Sequence, residues 1–275
     1  MAVAAALNVT EPSMTGIGGD MFCLFYNNNK TKKVHALNGS GRTGSKCTLE
    51  QLRKDLGLKE RYEQIPTDSV HAITVPGAAA GWVDCVEKFG SGKLSMEQIL
   101  APAIDLAAEG FPVSELSSYY WQTSEELIRR ASPNGAEMLK KDAKARDGCR
   151  APKPGEIMKN PTLANTFRCV GKQGKKGFYE GPVAEALVKV VNDLGGHLTL
   201  EDLRNHLQKG SEEPDAIALT YTGQDVNKDH GGVTLWEHPP NGQGIVALMA
   251  LGLLQEFEKS GKINKWSLEQ HNSAE

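Results

Sequence analysis

The distribution of apolar and polar positions along this chain predicts a helix end and a strand pair near its start and mostly helices further on. Ala2–Leu7 is a run of strong helix formers and reads as the end of a helix. The apolar run Met21–Tyr26 predicts a strand, Asn27–Lys33 a polar connection, and Val34–Leu37 a second strand antiparallel to the first. Before the first strand lies Glu11-Pro12-Ser13-Met14-Thr15-Gly16-Ile17-Gly18-Gly19-Asp20. Its glycines, Gly16, Gly18 and Gly19, predict a tight structural turn, because glycine accepts φ > 0 and lets backbone approach closely.

Helical patterning dominates further on. Thr48 with Gln51 and Ser95 with Gln98 have capping-box spacing and predict helices to about Leu56 and to Glu109, the latter stopped by Gly110. Val70–Val75 predicts a short strand before Pro76-Gly77, and Ala78–Phe89 a helix whose small residues allow close packing. Ser114–Ala131 and Gly135–Lys144 predict helices, Arg146–Gly155 a loop, and Pro161–Gly171 and Pro182–Leu194 amphipathic helices. A short helix is expected from Thr199-Leu200-Glu201-Asp202. Two strands are expected within Ile217–Trp236, then an apolar helix Ile245–Phe257 introduced by Pro239–Gly244. Ser267 and Gln270 form a third capping box, stapled by Trp266, with about two turns of helix before Glu275. Both ends of the chain are therefore expected to cut through helices. The mixture is α+β, and the 275 residues, without an internal repeat, are read as one domain over 1–275.

Composition narrows the class. A net charge of −3 removes the electrostatic case for a nucleic-acid partner. No apolar stretch approaches a membrane span, and Met1–Leu7 lacks a basic leader and cleavage site, so a soluble, cytoplasmic chain with no membrane partner is expected. The five cysteines are scattered without a CxxC pair and the seven histidines without HExxH, so no disulfide framework, metal site or cofactor is expected.

Gly39-Ser40-Gly41-Arg42-Thr43-Gly44 is a literal GxGxxG, but a dinucleotide site needs a parallel βαβ unit with its helix opening on the glycines. Here the preceding strand reads as half of a hairpin and the helix starts late, at Thr48. A nucleotide-binding oxidoreductase is thus only a remote alternative. Arg42 is weighed evenly between a surface arginine and a bidentate ligand for a carboxylate. No GxSxG elbow occurs, and no threonine stands at a free N-terminus.

Taken together and in order, the segments resemble the gamma-glutamyltransferase (glutathione hydrolase) family. The matching pieces are Ala2–Leu7, Glu11-Pro12 with Gly16–Asp20, Ala36–Arg42, Thr74–Ala78 with Gly81-Trp82, and Leu100–Ile104 through Glu109–Val113. Asn160–Ala164, Phe178–Gly181, Gly195-Gly196 with Leu198–Leu203, and Pro239–Gly244 complete the set. The loop Asn38-Gly39-Ser40-Gly41-Arg42 places the chain nearest the branch with that pattern. The resemblance implies part of an αββα four-layer sandwich of the N-terminal-nucleophile hydrolase type. It implies a precursor that cleaves itself into large and small subunits, and a new N-terminal threonine that attacks a γ-glutamyl amide. By resemblance Arg42 is the ligand of the substrate's α-carboxylate. In the better-known branch that arginine lies in an Arg-Glu-x-Ala-Pro context, where a gapless alignment puts Ser40. The chain corresponds to a large-subunit portion, so no catalytic nucleophile is assigned within it, and the partner implied is the small subunit. The alternative is a non-catalytic truncated product or binding fragment.

Overall fold

The computed structural model describes residues 1–28, 31–60, 62–223 and 231–262. Helix α1 (Ala2–Thr10) precedes strands β1 (Met21–Tyr26) and β2 (Val34–Gly39), helix α2 (Leu49–Leu56) and a 3-10 turn at Val70–Ala72. Helices α3 (Ala78–Phe89) and α4 (Met96–Glu109) lead to β3 (Phe111–Pro112) and α5 (Glu115–Ala131). After a 3-10 turn at Gly135–Met138 come the short strands β4 (Lys140–Lys141), β5 (Cys149–Arg150) and β6 (Ile157–Met158). Then follow α6 (Pro161–Gln173), α7 (Lys176–Tyr179), α8 (Gly181–Asp193), α9 (Leu200–Lys209), β7 (Ile217–Tyr221), β8 (Val233–Glu237) and α10 (Gly244–Lys259). The fold is α+β as expected, and among the described residues the strands pair two by two: β1 with β2, β3 with β6, β4 with β5, β7 with β8.

Local chemistry sets most helix starts. The side chains of Thr48, Ser95, Ser114, Asn160 and Thr199 each accept a backbone N–H of the helix they open, which satisfies a donor with no intrahelical partner. The Ser95–Gln98 box is complete. At Thr48 only half of the expected box forms, since Gln51 sends its amide to Asp55 Oδ1 at 2.8 Å instead. Gly110, at φ 106°, ends α4 where a side chain would be strained.

Three expectations are corrected. Val70–Val75 is not a strand: Ser69 caps the N–H of His71 and starts a 3-10 turn, so a local hydrogen bond overrides the β-branched residues. Gly135–Lys144 holds one 3-10 turn and then β4, which pairs with β5 inside the supposed loop Arg146–Gly155. Arg150 explains the pairing, because it forks onto Asp142 at 2.7 Å and Glu156 at 2.8 Å. The expected box at Ser267 and the staple at Trp266 lie outside the described residues.

Contacts gather the chain into two compact units. The first comprises Met1–Met21 and Gly39–Ser211. Its core is α4 packed along α6, with α1 on α4 and α7 between α6, α8 and α9. Leu100, Ala103, Phe167, Val170, Leu198 and Leu203 are fully enclosed there. Trp82 and Phe167 meet with ring centroids 6.0 Å apart. The second unit comprises Phe22–Asn38 and the chain from Glu212 on. There α10 lies on the β7–β8 pair, and Tyr221 donates its hydroxyl to Glu258 at 2.7 Å. The buried His238 stacks edge-on against Phe22 in the same unit.

Candidate functional site

The predicted turn is present, but it does not need its glycines in the way expected. The N–H of Gly19 donates to the carbonyl of Gly16 at 3.1 Å, closing a β-turn. None of Gly16, Gly18 and Gly19 has a positive φ, and a Cβ on Gly18 would meet nothing within 4 Å. The steric demand falls on the glycines that this turn supports. A Cβ on Gly41 would lie 1.8 Å from the carbonyl oxygen of Val75, and one on Gly77 would lie 2.1 Å from that of Gly39. Backbone is packed on backbone here, with no room for any side chain.

Hydrogen bonds lock the three segments together. The N–H groups of Gly77 and Ala78 both donate to the carbonyl of Gly19, at 3.0 and 2.9 Å. Asp20 accepts the N–H of Gly41 at 2.7 Å and the hydroxyl of Ser40 at 3.4 Å. The N–H of Val75 donates to the carbonyl of Arg42 at 3.0 Å. The backbone that presents Arg42 is therefore fixed from both sides. The literal GxGxxG lies in this loop, between a strand paired in a two-stranded sheet and a helix that begins only at Leu49.

The Arg42 side chain is half-buried and turned toward α9. Its Nη1 donates to His206 Nδ1 at 3.0 Å and to the carbonyl of Gly210 at 3.3 Å, both neutral acceptors. Burial, reinforced by the Arg42 charge, pushes the His206 pKa down to about 4. With Nδ1 accepting, the proton of the neutral ring is assigned to Nε2, which is buried and has no hydrogen-bond partner among the described residues. An orphaned polar atom of this kind lowers stability, so its occurrence at a cleft points to a functional constraint.

The imidazole is itself seated. Its ring lies 5.2 Å from that of Tyr179, which is fully buried. The Tyr179 hydroxyl donates to the carbonyl of Pro76 at 2.6 Å and accepts the N–H of Ala80 at 3.0 Å. Burial drives the tyrosine pKa far above its ordinary value, so it remains a neutral donor. Asp84, buried in α3, accepts the N–H of Ser211 at 2.8 Å and the ammonium of Lys175 at 2.6 Å, fixing the corner that supplies the Gly210 carbonyl.

Asp202 ties α9 to the loop beyond Arg42. It accepts the N–H of Ser45 at 2.8 Å, and the N–H and hydroxyl of Thr199 at 3.0 and 2.7 Å. Burial raises its pKa, but the bonds from Ser45 and Thr199 outweigh that and hold the carboxyl below its ordinary value. A cleft of about 280 Å³ opens beside these groups, lined by Arg42, Thr43, Ser45, Val75, Asp202, Asn205, His206 and Lys209. It carries two cations, while its one carboxylate is already engaged by three donors. Such a lining suits a small carboxylate.

Sequence reasoning singled out Arg42 but missed His206, Tyr179, Asp84 and Asp202. Three of them sit on helices as polar residues at core-facing positions. In α9 the buried positions are Asp202, Leu203 and His206, so an acid and a histidine occupy an apolar stripe. That placement was the available signal.

The chain matches the Gamma-glutamyltranspeptidase family over residues 1–275, and it belongs to that family. It is 31% identical over 258 residues to the glutathione hydrolase-like YwrD proenzyme of Bacillus subtilis, covering 94% of this chain and 44% of that protein. It is 32% identical over 261 residues to the oxamate amidohydrolase proenzyme of Klebsiella pneumoniae, again covering 94% of this chain and 44% of the relative. The chain thus spans less than half the length of these relatives. Among solved structures, the gamma-glutamyltranspeptidase of Pseudomonas nitroreducens complexed with L-DON superposes with a TM-score of 0.76 at 26% identity, covering 99% of this chain and 71% of that one. The N-terminal-nucleophile hydrolase type of fold inferred from the motif order is thereby supported. No helix among the described residues is long and apolar enough to cross a membrane.

Proposed function

We propose that the Arg42 cleft holds the α-carboxylate of a γ-glutamyl amide, such as glutathione, in an enzyme that hydrolyses the amide or transfers its γ-glutamyl group. The observation that carries this reading is the clamp on Arg42. Its guanidinium is oriented by a neutral imidazole and a carbonyl, beside a cleft to which Lys209 adds a second positive charge. A guanidinium held in this way is ready to take a carboxylate by charge-assisted hydrogen bonds. Family membership supports the rest of the reading. The nucleophile is a threonine outside residues 1–275, freed by self-cleavage, that uses its own α-amine as base. Arg42 is a binding and orienting residue, and the isolated 275-residue chain does not turn over substrate.

A second reading has its own support. The oxamate amidohydrolase relative is as similar to this chain as the glutathione hydrolase-like one, and its name indicates a smaller amide that also bears a carboxylate. The test offers the full-length protein a γ-glutamyl anilide and, separately, oxamate. Release of the aniline supports γ-glutamyl chemistry. Ammonia from oxamate with no aniline release supports the second reading. Inactivity of the processed protein toward both would overturn each.

A further inference from the structure

We infer that Asp55, His71 and His197 form a binding site for a divalent transition-metal ion of the zinc class. The three residues come from separate elements: the last turn of α2, the 3-10 turn at Val70–Ala72, and the loop between α8 and α9. One ligand atom from each lies within 4.8 Å of the others. His197 Nε2 and Asp55 Oδ2 are 2.5 Å apart, and the rings of His71 and His197 are 5.7 Å apart.

An ordinary aspartate–histidine hydrogen bond would account for two members of this cluster. It would not account for the second imidazole, whose Nδ1 is buried and has no hydrogen-bond partner among the described residues. One further contact orients the set. Gln51 donates to Asp55 Oδ1 at 2.8 Å, which leaves Oδ2 turned to the histidine. Outer contacts of this kind fix the orientation of ligands around a metal. The side chains of His197 and Asp55 keep 26% and 23% of their surface exposed, so an ion has a way in.

The donor types select the ion. Two imidazoles with one carboxylate suit zinc and its neighbours and disfavour magnesium and calcium, which prefer all-oxygen shells. Donors around a tetrahedral zinc lie about 3.3 Å apart for bonds of about 2.0 Å, so the cluster needs side-chain shifts of about 1 Å. The ion would stand between Asp55 and His197, with the neutral imidazole ligating through Nε2 and keeping its one proton on Nδ1, and the fourth position would be left for water. None of the three residues lines the Arg42 cleft. The wide spacing of Asp55, His71 and His197 in sequence hides the site from motif reading.

The test titrates the chelator-treated protein with zinc chloride by calorimetry and with cobalt chloride by visible absorption. The expected result is one equivalent bound in the micromolar range or tighter. His71→Gln, His197→Gln and Asp55→Asn each weaken binding at least about tenfold, and His35→Gln leaves it unchanged. No saturable binding, or binding that survives both histidine substitutions, overturns the site. If a variant fails to fold by circular dichroism, the cobalt spectrum of the unaltered protein decides. Four-coordinate bands without thiolate charge transfer support the inferred ligands, and thiolate charge transfer refutes them.

Discussion

Arg42 Nη1 donates to His206 Nδ1 at 3.0 Å, so the guanidinium is aimed by a ring whose pKa of about 4 keeps it neutral at physiological pH. The imidazole orients the cation without taking its charge. His206→Ala in the processed full-length enzyme is therefore expected to raise KM about fivefold, the equivalent of one hydrogen bond of about 1 kcal/mol, with kcat little changed. Steady-state kinetics check this, and an equal fall in kcat with no change in KM would contradict a positioning role.

The same histidine predicts an acid-sensitive fold. Its folded-state pKa lies below the ordinary value of about 6.5, so the unfolded chain binds the proton more readily. Its contribution to stability is fully present above about pH 6.5 and falls away as the pH drops toward 4. Urea unfolding across this range checks the slope, and His206→Gln is expected to flatten it. An unaltered slope in the variant would mean that other groups carry the acid sensitivity.

The glycines should separate sharply in stability. Gly41→Ala forces a Cβ to 1.8 Å from the Val75 carbonyl and is expected to destabilise by more than about 3 kcal/mol. Gly18→Ala adds a methyl with no neighbour within 4 Å and should stay within about 0.5 kcal/mol. Thermal unfolding of the two variants checks the contrast.

Thr199→Ala removes the cap of α9 and should cost about 1 kcal/mol. Asp202→Ala strands the N–H of Ser45 together with both donors of Thr199, and should cost about 2–3 kcal/mol. Denaturant midpoints rank the two, and the reverse order would remove Asp202 as the tie between α9 and the Arg42 loop.

What could be read in the sequence is what short-range chemistry decides. The helix starts at Thr48, Ser95 and Thr199 and the stop at Gly110 were legible because each depends on residues within one turn. Strand β1 was legible from its apolar run. Val70–Val75 was misread because the Ser69 side chain redirected a β-branched segment. Gly135–Lys144 was misread because its β4 pairs with a strand stabilised by Arg150, which grips acids on either side in sequence. At the site Arg42 was visible beside its glycines. Its partners were not, since His206 lies 164 residues away and Tyr179 meets Pro76 and Ala80 across about a hundred residues. The turn at Gly16–Asp20 was recognised, but the close backbone contact that requires glycine lies at Gly41 and Gly77.

The central claim is that Arg42 binds the substrate's α-carboxylate, and the kinetics of Arg42→Ala and Arg42→Lys in the processed full-length enzyme test it most directly. Loss of a charge-assisted pair of about 1.5–3 kcal/mol predicts a KM raised about 10- to 150-fold in the alanine variant. The lysine variant should recover only part of this, because an ammonium keeps the charge without the planar fork. A KM unchanged by Arg42→Ala would place the carboxylate elsewhere and contradict the account.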